Sequence, residues 1–260
     1  MHAVLSTILA TGHVTARDGS TIPLSSAITA EEGSTLQRLI RLHKPRTTLE
    51  IGLAYGVSAL FICEALAEVS GEKHIAIDPV QHGWGDIGLL NLERAGLAPL
   101  VEFHGEPSHR ALPALDAAGR RVDFAFIDGW HTFDYVMVDF FYVDRLLNVK
   151  GVLVLDDAWS YPAIRKLARY IATNRRYAPI ATGGVHQASV KRRALDALVS
   201  PLRAGPLAGV ARRLLRPDLM EPDSQLGLPC SDLVAFIKLA DDVPGDGTNG
   251  SRRWDQHNEF

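Results

Sequence analysis

The stretch that decides the fold is Thr47–Val69, "TTLEIGLAYGVSALFICEALAEV", where a short apolar run ends in a glycine turn and a helical pattern follows. Thr47–Ile51 has the length and composition of a strand that is covered on both faces. Gly52 and Gly56 let the backbone turn tightly and approach a ligand closely. The stretch therefore predicts a strand, a ligand-binding turn and a helix that begins near Ser58, with the favourable dipole of its N-terminus facing the ligand.

Short apolar runs alternate with helical periods through most of the remaining sequence. Further strands are predicted at His74–Asp78, Leu100–His104, Val122–Asp128, Gly151–Asp157, Tyr177–Thr182 and Asp232–Leu239. Helices are predicted at Ser58–Val69, Asp86–Ala95, Phe133–Leu147 and Pro162–Asn174. Strands that alternate with helices imply right-handed crossovers and a parallel sheet covered on both sides. The sequence thus predicts an α/β fold with a single domain over residues 1–240.

The composition is that of an ordinary globular protein. Of the 260 residues, 47% are hydrophobic and 22% are charged, and the net charge of -3 gives no reason to expect nucleic acid as a partner. Cys63 and Cys230 have no metal-type spacing, which favours a reducing, cytoplasmic location. No basic residue precedes "AVLSTILA", so we expect no signal peptide, and no later apolar run is long enough for a transmembrane helix.

Two segments do not follow the alternation of strands and helices. Residues 183–231 are rich in Arg, Pro and Gly, and between His186 and Arg216 seven Lys or Arg stand against one acid, Asp196, a local charge of +6. We expect a basic helical insertion there, either a cap over the active site or a dimer arm. The alternative is peripheral contact of residues 186–216 with a membrane or an acidic partner. Residues 241–260 are polar and Gly-rich, which indicates a flexible C-terminal tail.

Polar residues stand at the carboxyl ends of the predicted strands, where ligands bind in open parallel sheets. The Gly-x-x-x-Gly spacing of the first turn is neither a dinucleotide fingerprint nor a phosphate loop. Asp78 ends the second strand, where a carboxylate can accept hydrogen bonds from both hydroxyls of a ribose. Glu106 and Ser108 follow the third strand, beside a slot of the size of an adenine ring.

A second group of polar residues is not needed to bind a ribose or an adenine. In "FAFIDGWHTFDY" (residues 124–135), Asp128 could cap the following helix and His131 could lie in its first exposed turn, or both could face a ligand. Asp156 and Asp157 end the next strand. Three converging carboxylates repel one another unless a cation or protons compensate. Oxygen ligands without cysteine favour Mg²⁺, Mn²⁺ or Ca²⁺ over zinc.

From about Ser25 to Leu239 the chain resembles the class I S-adenosylmethionine-dependent methyltransferases. "LEIGLAYGVSA" looks like their first motif, "IAIDPVQ" like their second and "NLERAGLAPLVEFHGEPSHRALPAL" like their adenine region. "SSAITAEEGSTLQRLIRLHKP" is similar to the helix that precedes the first motif in small-molecule O-methyltransferases. The resemblance implies a Rossmann-like, mostly parallel seven-stranded sheet with an antiparallel last strand, and a helical lid region in residues 1–46. It implies S-adenosyl-L-methionine binding by Glu50, Gly52, Gly56, Ser58, Asp78, Glu106, Ser108 and Asp128.

Asp128-Gly129-Trp130-His131, followed by Asp156-Asp157, resembles the metal-dependent O-methyltransferases that act on macrolide sugars and related glycosides. That group implies Mg²⁺ or Mn²⁺ held by Asp128, Asp156 and Asp157, with His131 as the general base. The group often has Glu where this chain has Asp156, and catechol-type relatives have Asn where it has Asp157. Trp159 and Tyr161 would form an aromatic wall for a sugar ring.

The expected function is Mg-assisted O-methylation of a sugar or glycoside hydroxyl by a homo-oligomer. One alternative is a metal-independent O-methyltransferase that acts on phenols or polyketides with His131 alone. Another is a non-catalytic cofactor-binding module. A nucleic-acid methyltransferase is disfavoured, because the sequence has no Asn/Asp-Pro-Pro-aromatic motif for an extruded base.

Overall fold

A computed structural model describes residues 2–182, 190–203, 220, 222–241, 244–245 and 252–253. Its helices are α1 Ala3–Thr11, α2 Ala30–His43, α3 Val57–Glu68, α4 Ile87–Arg94, α5 Ser108–Ala117, α6 Phe133–Leu146, α7 Pro162–Asn174 and α8 Val190–Arg203. Short 3-10 helices lie at Gln81–Trp84 and Ala98–Leu100. The strands are β1 His13–Thr15, β2 Thr21–Pro23, β3 Thr47–Ile51, β4 Lys73–Ile77, β5 Val101–His104, β6 Val122–Ile127, β7 Leu147–Leu155, β8 Tyr177–Ile180, β9 Val234–Lys238, β10 Pro244–Gly245 and β11 Arg252–Arg253.

The central sheet has seven strands in the order β5-β4-β3-β6-β7-β9-β8. Its strands are parallel except β9, which pairs antiparallel with both of its neighbours. The prediction of a mostly parallel sheet with an antiparallel last strand is confirmed. The chain runs outward from β3 in one direction through β4 and β5, and in the other through β6 and β7. This reversal makes the gap between β3 and β6 the position at which ligands bind in such sheets.

Strand residues alternate between two apolar cores, one on each face of the sheet. Phe124 and Phe126 of β6 pack in the core that contains Phe61 of α3. Ala125 and Ile127 face the opposite core, with Phe140 of α6. Because both faces are covered, the strands read as continuous apolar runs rather than as an alternation of apolar and polar residues.

The structure moves some of the predicted boundaries. β4, β6 and β7 end at Ile77, Ile127 and Leu155, so the acids assigned to the strand ends lie just beyond them in turns. β7 begins at Leu147 rather than Gly151, and its pairing with β6 is irregular near Val122.

The ends of the chain add elements that the sequence did not predict. The N-terminal region contains the expected helices but also the β1–β2 hairpin, and α5 follows β5. About half of the basic insertion and most of the tail lie outside the described residues. Within the described part of the insertion, α8 covers Val190–Arg203. Within the described part of the chain, none of the helices combines the length and apolar character needed to cross a membrane.

Candidate functional site

A cavity of about 630 Å³ opens beyond the carboxyl ends of β3, β4, β6 and β7. Its volume is in the range of small-molecule and cofactor sites. Residues 26–29, which precede α2, and Glu32 in its first turn form part of the wall. The structure brings eight of the predicted site residues together on its surface: Gly52, Ser58, Asp78, Ser108, Asp128, His131, Asp156 and Asp157.

Three residues predicted to bind the cofactor do not line this cavity. Glu50 is fully buried, and its Oε2 lies 3.2 Å from Nε2 of His74. The other ring nitrogen of His74, Nδ1, lies 2.9 Å from Oγ1 of Thr48. The side chain of Glu50 therefore belongs to a polar group within the core, and its predicted contact with the cofactor stays a prediction. Gly56 faces the backbone of α4, and Glu106 is exposed. Neither of these two residues contributes to the wall.

Asp78 has a role that its sequence position did not reveal. Its Oδ2 accepts hydrogen bonds from the backbone N–H groups of Leu53 at 3.1 Å and Ala54 at 2.9 Å, and from the Gln81 side chain at 3.0 Å. Its Oδ1 accepts from the N–H of Val80 at 2.8 Å. These four hydrogen bonds fix the position of the carboxylate. Asp78 thus fixes the turn after β3 to the end of β4, in addition to facing the cavity.

The turn after β3 depends on Gly52. Its φ of +95° is unfavourable for residues with a side chain, and a Cβ there would lie 2.0 Å from the carbonyl oxygen of Asp128. The missing side chain lets the β3 and β6 turns approach each other closely. This contact places Asp128 next to the glycine turn.

We expect Gly52→Ala to lower stability by about 3 kcal/mol or more, because it combines a strained φ with a backbone clash. It should also abolish cofactor binding. Thermal unfolding and titration with S-adenosylhomocysteine would measure the two effects. Gly83→Ala is the matched control, since a Cβ at Gly83 meets nothing within 4 Å. A Gly52→Ala protein as stable as this control would contradict the role assigned to the close approach.

Asp128, His131 and Asp157 form the centre of the acidic part of the cavity. Their ligand atoms all lie within 4.8 Å of one another. Nε2 of His131 is 3.1 Å from Oδ2 of Asp157 and 3.4 Å from Oδ1 of Asp128. The same nitrogen is buried, and among the described residues it has no partner with hydrogen-bond geometry. The two contacts are therefore ion pairs rather than well-formed hydrogen bonds.

Asp156 stands slightly apart from these three residues. Its Oδ1 accepts the backbone N–H of Asp157 at 2.9 Å, and it is not part of the group whose ligand atoms cluster. Asp157 has a φ of +58°, a strained backbone for a non-glycine residue. This backbone conformation is associated with functional sites, and here it lies in the turn that faces His131.

Burial and mutual repulsion shift the ionisation of this group. Burial raises the pKa of Asp128 to about 6, and Asp157 and Glu50 add to the rise while His131 opposes it. The pKa of Asp156 lies well above its ordinary value because of burial and the nearby charges of Asp128 and Glu32. The pKa of His131 is raised by the neighbouring carboxylates, chiefly that of Asp128. Carboxylates that repel one another around a shared position fit a hard divalent cation.

Aromatic side chains flank the acidic group. The Tyr161 ring stacks on His131, with centroids 4.3 Å apart and an angle of 20° between the rings. Trp130, which is 67% exposed, and Tyr135 also line the cavity. Of the predicted aromatic wall, Tyr161 lies in the cavity, whereas Trp159 does not line it.

Sequence reasoning missed Asp139. It lies in α6, is 1% exposed, and burial raises its pKa to about 6. The signal was an acid on the apolar face of the predicted helix, one residue before Phe140. Asp232 was also missed as a wall residue, because it stands at the start of a predicted strand far along the chain.

A family model described as "Methyltransferase domain" matches residues 49–158. These residues include the last part of β3 with its glycine turn, Asp128 and the acidic pair. This part of the chain is similar to a methyltransferase domain. The resemblance seen in the sequence is confirmed at this level, whereas its sugar-specific part stays a prediction.

Curated relatives match about half of the chain. Caffeoyl-CoA O-methyltransferase 2 of Petunia hybrida is 32% identical over 153 residues, which cover 54% of this chain and 61% of that protein. Caffeoyl-CoA O-methyltransferase of Pinus taeda is 36% identical over 158 residues, covering 54% and 57%. The chain therefore matches about three-fifths of the length of these relatives.

Solved structures share the fold of the domain. The O-methyltransferase TomG of Streptomyces achromogenes superposes with a TM-score of 0.56 at 24% identity, over 69% of this chain and 82% of TomG. An O-methyltransferase of Bacillus cereus superposes with a TM-score of 0.58 at 21% identity, over 71% and 86%. These similarities confirm the predicted Rossmann-like class I methyltransferase fold.

Proposed function

We propose that the protein is an S-adenosyl-L-methionine-dependent O-methyltransferase that uses Mg²⁺ to methylate a hydroxyl of a sugar or glycoside. The observation that carries the proposal is the position of Asp128, His131 and Asp157. They meet in the same cavity as the glycine turn of the methyltransferase domain. Donor binding and hydroxyl activation would thus take place side by side.

One half of the cavity suits the methyl donor. The Gly52 turn, Ser58 near the N-terminus of α3, and Asp78 line it together. Asp78 would bind the ribose hydroxyls, and Ser108 would face the adenine. The solved O-methyltransferase from Bacillus cereus was crystallised with S-adenosylhomocysteine, and TomG with the methyl donor itself, which supports this assignment.

The other half suits deprotonation of an acceptor. Asp128 and Asp157 would be the principal metal ligands, with Asp156 adding negative charge beside them. When bound, a divalent ion lowers the pKa of a coordinated hydroxyl and stabilises the alkoxide. His131 would accept the hydroxyl proton at Nε2, the nitrogen that has no hydrogen-bond partner in the described structure. Tyr161 would hold the imidazole ring in place by stacking.

The negative charge of the cavity wall favours some classes of acceptor over others. Among the described residues, its wall carries no Lys or Arg, whereas six carboxylates line it: Glu32, Asp78, Asp128, Asp156, Asp157 and Asp232. Such a wall repels phosphate groups, and coenzyme A esters carry several. An uncharged polyhydroxylated acceptor agrees better with this wall. The exposed Trp130 and the ring of Tyr161 offer apolar surfaces on which a sugar ring can pack.

The remaining assignments concern the surroundings of the site. Residues 1–46 would act as a lid, since residues 26–29 and Glu32 reach the cavity wall. The basic insertion of residues 183–231 would cap the site or join two subunits of a cytoplasmic homo-oligomer. The alternative mechanism, without a metal, would rely on His131 alone.

The test is methyl transfer from S-adenosyl-L-methionine to a panel of glycosides, a catechol and a caffeoyl-CoA-type thioester, with EDTA and after addition of Mg²⁺. We expect turnover of a glycoside that EDTA abolishes and Mg²⁺ restores. Turnover of the glycoside in EDTA would remove the metal from the mechanism. Preference for the thioester would overturn the acceptor class but not the methyltransferase activity. Binding of S-adenosylhomocysteine without turnover of any acceptor would favour the non-catalytic module.

A further inference from the structure

The outer face of α6 carries apolar side chains that remain exposed to solvent. α6 packs against α5 and α7, and Val136, Phe140 and Val143 on its inner face belong to the core. On the outer face, Val138 is 39% exposed and Phe141 is 55% exposed. A helix at the surface of a soluble domain normally presents polar residues to the solvent. A row of exposed apolar residues therefore indicates a contact surface.

Two opposite charges stand at the ends of this row. Asp134 is exposed in the first turn of α6, and Arg145 is exposed in the last turn. Nε of Arg145 lies 2.6 Å from Oδ2 of Asp116, and among the described residues its other side-chain nitrogens make no hydrogen bond. At about 3.6 residues per turn, positions 134, 138, 141 and 145 lie within about 60° of one another around the helix axis. They form one narrow row, which we call the α6 stripe.

The order of residues along the α6 stripe is complementary to itself. The successive spacings are four, three and four residues, which read the same from either end. If two copies of α6 pack antiparallel about a two-fold axis, Val138 faces Phe141 of the partner subunit. Asp134 then faces Arg145 of the partner subunit at each end of the contact. A parallel arrangement would instead place like charges opposite each other, which is unfavourable.

We propose that the α6 stripe binds a second copy of this chain, with the two helices antiparallel about a two-fold axis. The proposal rests on the homo-oligomer of the proposed function but not on methyl transfer. The charges decide the occupant, because an uncharged apolar ligand has no groups that complement the charges at both ends. Tyr135 and Tyr142 lie on one side of the stripe and would enlarge the contact. Since Tyr135 also lines the cavity, the partner subunit would lie beside its mouth.

The first experiment measures the mass of the full chain in solution by sedimentation velocity at micromolar concentration. We expect the wild type to be a dimer. Phe141→Glu should be a monomer, because the two-fold axis brings a carboxylate from each copy into the apolar centre of the contact and raises Kd by about 100-fold or more. Leu42→Glu is the matched control. Leu42 lies in α2, is 68% exposed, and its replacement should leave the dimer intact.

The second experiment tests the antiparallel pairing by reversing charges. Asp134→Arg and Arg145→Asp should each raise Kd by about tenfold, because each variant sets like charges opposite each other at both ends of the contact. An equimolar mixture of the two variants should form a heterodimer as tightly as the wild type, since opposite charges then meet again at both ends. Asp134→Asn removes an attraction without adding a repulsion and should stay a dimer, because exposed ion pairs contribute little.

A monomeric wild type would overturn the proposal, and so would a dimer that persists in Phe141→Glu, since the subunits would then meet through another surface. If Phe141→Glu fails to fold, the mixture of the two charge variants decides, because a mixture that dimerises no more tightly than its components contradicts the antiparallel pairing. S-adenosylhomocysteine binding is measured on the same samples. A dimeric wild type without such binding would overturn the proposed methyl transfer and leave the α6 contact standing.

Discussion

Replacing His131 with Gln is expected to lower kcat for methyl transfer by about 10²–10⁴-fold, the contribution typical of a positioned general base. Glutamine has nearly the length of histidine but cannot accept a proton near neutral pH. The acidic neighbours of His131 raise its pKa, so the imidazolium that forms on proton transfer is stabilised by Asp128 and Asp157. The affinity for S-adenosylhomocysteine should change little, since His131 lies in the acidic half of the cavity.

The same variant distinguishes a base from a metal ligand. If His131 only takes the proton, His131→Gln should bind Mn²⁺ as tightly as the wild type, as measured by electron paramagnetic resonance. If its Nε2 coordinates the ion, the Mn²⁺ affinity should fall together with kcat. His13→Gln, at an exposed position in β1, is the matched control and should leave both quantities unchanged. Wild-type turnover by His131→Gln would exclude His131 from the chemistry altogether.

The sheet could be predicted from the sequence because each strand is apolar on both faces and each connection is a helix. Thr47–Ile51 was predicted to the residue, and the other strands of the central sheet were found with shifted ends. Asp78, Asp128 and Asp156 each still donate a backbone N–H to the neighbouring strand. The chain turns away after that bond, so the regular strands end one or two residues earlier than predicted. The short β1–β2 hairpin lacks a long apolar run, so no periodicity indicated it.

The meeting of Asp128, His131 and Asp157 could also be anticipated, because parallel strand ends share one edge of the sheet. The sequence could not predict toward which face of the sheet an individual side chain points. Glu50 lies two residues before Gly52, yet the alternation along β3 turns it into the core toward His74. Both faces of this sheet are covered, and the side chain that contacts a given strand residue depends on packing between segments distant in sequence.

The second large effect is expected for Asp128→Asn. Asparagine keeps the shape of the side chain but removes one of the charges that would hold Mg²⁺. We expect the Mg²⁺ affinity to fall by about tenfold or more and Mg-dependent turnover to be lost. Asp134→Asn is the matched control, because Asp134 is an exposed acid in the first turn of α6 that does not line the cavity.

The same substitution should stabilise the metal-free protein, and the sign of this effect depends on pH. The pKa of Asp128 is raised from 3.8 in the unfolded chain to about 6 in the folded one. Well below pH 3.8 the acid is neutral in both states, and its ionisation contributes no cost. Above about pH 6 it must ionise within the fold, at a cost of up to ~3 kcal/mol. Without metal, Asp128→Asn should therefore melt several degrees higher than the wild type at pH 8, and the difference should shrink to about a third of that at pH 4.5.

Added Mg²⁺ should reverse that order, raising the melting temperature of the wild type and not that of Asp128→Asn. An equal rise in both proteins would show that Asp128 is not a ligand. The expected reversal in the order of the two melting temperatures has one physical cause. The carboxylates of this cavity repel one another in a buried position, and the protein retains them at the expense of stability because only a cation or a proton relieves the repulsion. A variant that is more stable without metal and inactive with it would show that the acids serve the reaction rather than the fold.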